Sequence, residues 1–329
     1  MPMIDDLRSR ISPDVRVDEL MSAHTTYRIG GPADFYFESK SAEDTCKAVK
    51  AAKELGLPIF VFGGGSNMLV SDEGVRGFTL RLTARNHRIE GTAVIADSGV
   101  PSGFLGMRAV EAGLEGLEWA VGLPGTVGGG IRGNAGMFGG EMKDVVESVR
   151  VLRDGVEEML DNAGCQFSYR NSIFKSQPGT FIILAATFRL KPAADVAALK
   201  ARIQQNLLEK RDKQPVEFAC AGCVFANWRP ETPEDLETLR RSLDLNKDEQ
   251  IPLTAVGTVP AGWIIDRAQL KGMKIGHAMV SDKHANFFVH DGQATASDLV
   301  SLMAAVKTKV RNMTHGVVSL MEEIEYVGF

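Results

Sequence analysis

The chain has 329 residues, 44% of them hydrophobic, a formal net charge of -5 and a pI near 5.8. That is long enough for two or three domains, too apolar for a disordered chain, and without the Lys/Arg block of a nucleic-acid or membrane-surface protein. Four cysteines are too few for a disulfide framework, no run approaches the roughly 18 apolar residues of a membrane span, and the opening MPMIDDLRSRI lacks a signal-peptide core, so a cytoplasmic protein is expected.

Residues 42–55 (AEDTCKAVKAAKEL) read as a helix with Cys46, Val49, Ala52 and Leu55 on one side. PIFVFG (58–63) reads as a short buried strand running into GGGSN, FTLRL (78–82) and AVIADSG (93–99) as further strands, and 102–112 as a helix. From Gly113 to Gly140, 11 of 28 residues are glycine. Each interior glycine costs a helix or strand about 0.5–1 kcal/mol, so tight turns that bring backbone close to a ligand are expected there. VESVRVLRDG (146–155) and TFIILAATFRL (180–190) read as strands of a second β-rich unit. Residues 194–212 read as a polar-faced helix bridging units, and the charged stretch 229–258, with a short helix in PEDLETLRRSL, as a second linker. TASDLVSLMAAVKTKVRNM (295–313) is an amphipathic helix with Leu299, Leu302, Met303, Val306 and Val310 on one face, and Thr295 with Asp298 resembles a capping box. The end, SLMEEIEYVGF, reads as a strand. Its alternation sets Leu320, Glu322, Ile324 and Tyr326 against Met321, Glu323, Glu325 and Val327, placing Glu323 beside apolar neighbours, where burial would raise its pKa. The mixture points to an α+β fold.

Three stretches carry candidate chemistry. FGGGSN (62–67) follows a strand, and three glycines with Ser66 and Asn67 form a nest of donors suited to a pyrophosphate, although a plain glycine turn reads the same way. GGGIRG places Gly128, Gly130 and Gly133 in G-x-G-x-x-G order, with Asp154 about twenty residues on, as in a Rossmann fingerprint. That reading fails, because its helix would run through Gly133, Gly136, Gly139 and Gly140 at about 0.8–1.0 kcal/mol each. FACAGCVFANW (218–228) holds Cys220 and Cys223 at thioredoxin spacing, but without the strand-then-helix setting of that motif or a second CxxC for zinc. Buried core, one reactive cysteine and a redox pair all remain open on these residues alone. No metal site is expected.

Taken together, TTYRIGGPADFYFE (25–38), FGGGSNMLVSDEG (62–74), GLEWAVGLPGTVGGGIRGNAGMFGGE (116–141), YRNSIF (169–174), KQP with AGCVFAN (213–227), AGWIIDRAQLKGMKIGHAMVSDKHANFFV (261–289) and EIEYVG (323–328) resemble the UDP-N-acetylenolpyruvoylglucosamine reductases of peptidoglycan synthesis. The resemblance covers nearly the whole chain and looks closer to the branch with the shorter substrate domain. It implies an α+β fold with a vanillyl-alcohol-oxidase-type two-domain FAD-binding module and a third, substrate-binding α+β domain. The implied divisions are 1–82 with the returning tail 316–329, 83–212, and 213–315 with an insert at 229–258.

The implied activity is NADPH-dependent, FAD-mediated reduction of the enolpyruvyl group of UDP-N-acetylglucosamine-enolpyruvate to UDP-N-acetylmuramate, with hydride from flavin N5. Residue by residue, the resemblance places the catalytic arginine at Arg170, the catalytic glutamate at Glu323 and the proton donor, often a serine, at Cys223. Non-covalent FAD would be held by Gly63, Gly64, Gly65, Ser66 and Asn67, and by Gly122, Pro124, Gly125, Gly128, Gly129, Asn134 and Gly136. Substrate would be met by Tyr169, Lys213, Asn227, Lys283 and His284. The partners expected are the UDP-sugar and NADPH, with no nucleic acid, membrane or obligate protein. Trp228 stands where proline is common in the family, and Glu325 where arginine is common. The alternatives are a flavin oxidase of related fold acting on another small molecule and a non-catalytic UDP-sugar-binding protein.

Overall fold

The computed structural model describes residues 2–246 and 248–329. The chain forms two compact units. One contains the chain up to Leu20, Pro32–Gly65 and Val75–Lys210; the other contains Met21–Gly31, Ser66–Gly74 and Arg211–Phe329.

In the first unit, strands Arg16–Leu20, Pro32–Ser39, Val75–Leu82 and Ile59–Phe62 lie side by side in that order. The first pair is antiparallel and the others are parallel. The helix Ala42–Glu54 is the crossover that the parallel pairing needs. It starts at Ser41, whose hydroxyl accepts from the Asp44 N–H at 3.0 Å. Its Ala48, Val49 and Ala52 pack on Phe37, Phe78 and Leu80. A second, antiparallel sheet has the order Val156–Asp161, Val146–Arg153, Phe181–Arg189, Ala93–Asp97, His87–Glu90. Its inner residues Val94, Val149, Val151 and Phe188 bury the helix Ser102–Glu111 through Leu105 and Ala109.

The glycine-dense stretch is not made of turns alone. Val127–Arg132 (VGGGIR) is α-helical, contrary to expectation. Packing overrides propensity there. Val127 and Ile131 are buried, while a Cβ on Gly128 would sit 2.8 Å from Ser98 Cβ and one on Gly130 2.6 Å from Met142 Cε. The helix stops at Gly133, so it never runs through Gly136, Gly139 and Gly140 as a Rossmann fingerprint requires.

The second unit has a small antiparallel sheet, Lys274–Ile275, Ala278–Val280 and Phe288–His290, under the helix Ala296–Met313. The capping box between Thr295 and Asp298 forms as expected, and Leu299, Leu302, Met303, Val306 and Val310 are buried. The same helix start is held from outside its own sequence. Asp72 accepts from the N–H groups of Ala296 (2.8 Å) and Ser297 (3.1 Å), a carboxylate at the positive end of the helix.

Two further expectations fail in this unit. The described residues of 229–258 fold within this unit rather than linking units. Trp228 and Val259 exchange backbone hydrogen bonds of 3.0 and 2.7 Å and so close its base, and the helix Pro233–Ser242 buries Leu239 completely in the unit's core. The tail is a strand only over Glu325–Val327, paired in parallel with Met68–Val70. The expected alternation breaks, because Met321 is 64% exposed and Tyr326 40% while Ile324 and Val327 are both buried.

Candidate active site

In the first unit, strand Ile59–Phe62 delivers the chain into Gly63–Gly65. A Cβ on Gly63 would lie 2.3 Å from Thr126 Oγ1, and one on Gly64 would lie 2.8 Å from the Gly125 Cα. Gly64 therefore lets two loop backbones meet, and Gly63 leaves room for the Thr126 side chain. Gly65, Gly122 and Gly125 lie at φ 61°, 94° and 96°, where an L side chain is strained. Arg81 Nε donates to the Gly63 carbonyl at 3.3 Å, and Lys210 Nζ donates to the Gly122 carbonyl. The Thr126 hydroxyl is buried in this cradle with no hydrogen-bond partner, a position that a bound polar ligand would satisfy. Pro124, on the loop, and Gly129, in the helix Val127–Arg132, are exposed. The Gly128 N–H is already donated to Ser98 O at 2.9 Å.

Asn134, expected to meet FAD, is fully buried, and its side chain is engaged by the protein itself. Its Nδ2 donates to Glu141 Oε2 and Ser168 O, both at 2.9 Å, and its Oδ1 accepts from Lys143 N at 3.0 Å. It shapes the loop that holds Gly136, whose carbonyl accepts from Arg170 Nη2 at 2.9 Å. Arg170 sits at φ 54°, a left-handed conformation costing about 1–3 kcal/mol for such a residue. The turn is closed by Ser168 and Asn171, which exchange backbone hydrogen bonds of 3.0 and 3.2 Å. The Arg170 guanidinium lies 5.4 Å from the Tyr169 ring centroid. A carbonyl, a ring and a fixed backbone thus orient one cationic fork.

In the second unit, residues 223–226 run between two partners. Cys223 is bridged to Phe287, and Val224 N donates to Asn286 O at 2.8 Å. The Asn286 side chain closes a ring with Phe225, accepting from its N–H (2.9 Å) and donating to its carbonyl (2.8 Å). On the other side Phe225 is bridged to Glu322, Ala226 N donates to Met321 O at 2.9 Å, and Glu323 N donates to Val224 O at 2.7 Å. The backbones of Cys223 and Glu323 are therefore held together by this one unit. Asn67, expected to contact FAD, donates from Nδ2 to the Glu323 carbonyl at 3.1 Å, and its main-chain carbonyl accepts from Glu325 N at 3.0 Å.

The remaining substrate candidates lie around this segment. Asn227 Oδ1 accepts from Ala261 N (3.3 Å) at the start of the helix Ala261–Arg267. The His284 ring abuts the same helix, where a Cβ on Gly262 would lie 2.9 Å from its Cε1. His284 Nδ1 accepts from Asn286 N at 3.2 Å, so the neutral ring carries its proton on Nε2. Burial holds this imidazole below its ordinary pKa. Lys283 Nζ donates to Arg211 O at 2.7 Å and lies 3.9 Å from Glu217, bracing the segment that carries the exposed Lys213. Ser66 is half-buried.

All four cysteines are thiols. Cys220 packs on the second unit's core and Cys223 is half-buried, while burial pushes the Cys165 thiol up to about 12. Among the described residues no cluster of His, Cys, Asp and Glu suits a metal ion, and no helix is long and apolar enough to cross a membrane. Sequence reasoning missed Arg81 and Asp72, polar residues whose partners are remote in sequence, and Thr126, whose hydroxyl is buried without one. Asn286 was more visible, a lone amide followed by Phe287, Phe288 and Val289.

The chain is similar to known proteins. Residues 214–327 match the UDP-N-acetylenolpyruvoylglucosamine reductase, C-terminal domain, and residues 33–158 match an FAD binding domain. A protein of Symbiobacterium thermophilum called UDP-N-acetylenolpyruvoylglucosamine reductase 2 is 38% identical over 94% of this chain and 92% of its own length. The reductase of Rubrobacter xylanophilus is 35% identical over 99% of both chains. The crystal structure of the Thermus caldophilus reductase superposes with a TM-score of 0.75 at 29% identity, covering 95% of this chain and 99% of that one.

Proposed function

This chain belongs to the UDP-N-acetylenolpyruvoylglucosamine reductase family, and on that premise we propose which of its residues carry out the family's reaction. It is an FAD-dependent oxidoreductase of peptidoglycan precursor synthesis that uses NADPH. Bound FAD would supply the hydride chemistry, from NADPH to the methylene carbon of the enolpyruvyl group of UDP-N-acetylglucosamine-enolpyruvate. The residues of the chain manage the charge and the proton.

The Gly63–Gly65 and Gly122–Gly125 cradle would hold the cofactor, with Thr126 Oγ1 as its polar contact and Gly128, Gly129 and Gly136 as close backbone. Arg170 is the electrostatic partner of the negative charge that develops on the substrate's carboxyl-stabilised carbon. Glu323, protonated, donates to the same group. Cys223 gives its Sγ proton to the carbon next to the methylene and is reprotonated from solvent. Tyr169, Lys213, Asn227, Lys283 and His284 bind the sugar nucleotide, Asn227 and Lys283 partly through the segments they brace. The reading assigns 1–82 with the tail 316–329 to one FAD-binding subdomain, 83–212 to a second and 213–315 to the substrate-binding domain, and places the enzyme in the cytoplasm.

The observation that supports this most is the backbone pairing of 224–226 with 321–323, which brings Glu323 against the residue after Cys223 from about a hundred residues away. The test is Glu323→Gln in the FAD-loaded enzyme. It should leave flavin reduction by NADPH within about twofold and slow turnover with the enolpyruvyl substrate by about two orders of magnitude, the scale of a lost acid. Wild-type turnover removes Glu323 from the mechanism.

A further inference from the structure

Glu323 has no helix or long strand beneath it, because the tail is regular only over Glu325–Val327. Its position must come from individual contacts. Two hold its own backbone, namely Glu323 N to Val224 O (2.7 Å) and Asn67 Nδ2 to Glu323 O (3.1 Å). A third acts one residue earlier. Lys307 Nζ lies 2.8 Å from each carboxylate oxygen of Glu322. This pair is not an ornament of the open surface, since the two side chains are only 34% and 23% exposed. It lines an open groove of about 380 Å³ with Val300, Ala304, Leu320 and Tyr326.

Lys307 stands on a firm base. Its helix, Ala296–Met313, is buried along Leu299, Leu302, Met303, Val306 and Val310, and its first turn is held by Asp72. From Ala296 to Lys307 is about 16 Å at the helical rise of ~1.5 Å per residue. The helix is a strut between the loop after Met68–Val70 and the tail, and the tail returns to Met68–Val70 through Glu325–Val327. The circuit closes on Glu323, with Asn67 at one end and Lys307 at the other.

We propose that Lys307, through its ion pair with Glu322, is a positioning residue for the reaction, setting where Glu323 presents its carboxyl group. The inference rests on the role given to Glu323 above. Lys307 does not itself meet substrate.

The test uses FAD-loaded enzyme, NADPH and UDP-N-acetylglucosamine-enolpyruvate, with the two half-reactions followed separately. Lys307→Met should leave flavin reduction within about twofold and slow reoxidation by substrate about tenfold or more. In the Glu323→Gln background the same substitution should change reoxidation by less than about twofold, because its effect is transmitted through the missing acid. Exchanging the charges, Lys307→Glu with Glu322→Lys, should recover most of the rate lost in either single variant. The double exchange also guards against a folding defect, since a variant that melts like wild type and regains reoxidation has regained geometry. The proposal is overturned if Lys307→Met reoxidises at the wild-type rate, if both half-reactions slow equally, if the loss persists undiminished beside Glu323→Gln, or if the exchange recovers nothing. If Glu323→Gln alone turns over normally, the underlying reading fails as well; if it is slow while Lys307→Met is not, only the positioning role fails.

Discussion

The side-chain amide of Asn67 donates to the main-chain carbonyl of Glu323 at 3.1 Å, across 256 residues of sequence. In return the Asn67 carbonyl accepts from Glu325 N at 3.0 Å. Asn67 thus holds the tail on both sides of Ile324, at the proposed acid Glu323 and at Glu325. A net hydrogen bond of this kind contributes about 0.5–1.5 kcal/mol. Asn67→Ala should therefore retain bound flavin and slow substrate-driven reoxidation by up to about tenfold. Loss of flavin absorbance with normal reoxidation in the remaining holoenzyme would assign Asn67 to the cofactor instead.

The glycine cradle makes a sharper demand. A Cβ on Gly64 would lie 2.8 Å from Gly125 Cα, and backbone cannot swing aside as a side-chain end can. Gly64→Val should part the two loops and yield folded protein without the yellow of bound flavin. Visible absorbance against protein concentration reads the outcome, and full flavin occupancy would contradict the assignment.

How far the sequence disclosed this site depends on the range of the interaction. The helix Ala42–Glu54 and the capping box at Thr295 were legible because their signals are local, a period of 3.6 and a side chain three residues from its amide. The helix Val127–Arg132 was not. Three consecutive glycines argue against a helix by propensity, and what overrules them is contact with Ser98 and Met142, which no local pattern contains. The tail failed for a related reason. Strict alternation assumes one continuous strand, whereas Met321–Glu323 pair with 224–226 and Glu325–Val327 with Met68–Val70, so the chain changes partner at Ile324 and the faces lose register. At the CAGC stretch, spacing left three readings open. The structure adds that Cys220 packs on the core and that Cys223 is bridged to Phe287, one residue before Val224, whose carbonyl accepts from Glu323 N.

His284 makes stability depend on pH. Burial holds its pKa below the ordinary value, so the folded protein keeps it neutral where the unfolded chain binds a proton. Its contribution is present above the unfolded pKa of about 6.5 and is lost as pH falls below that value. His277 works in the opposite sense, raised by its contact with Asp291, but it is exposed and screened by solvent. His284→Asn should consequently lose less melting temperature than wild type between about pH 7 and about pH 5.5. Equal slopes for the two proteins would show that the imidazole does not report its burial in this way.

The central claim is that Cys223 supplies the proton that completes the reduction. A thiol near the ordinary pKa of about 8.5 is mostly protonated at neutral pH and gives up its proton readily, so cysteine suits the role. The most direct measurement is stopped-flow absorbance on Cys223→Ala loaded with FAD. Reduction by NADPH should proceed at the wild-type rate, and reoxidation by UDP-N-acetylglucosamine-enolpyruvate should stall, leaving reduced flavin in the presence of saturating substrate. Reoxidation at the wild-type rate would mean that the proton comes from elsewhere and that Cys223 only packs.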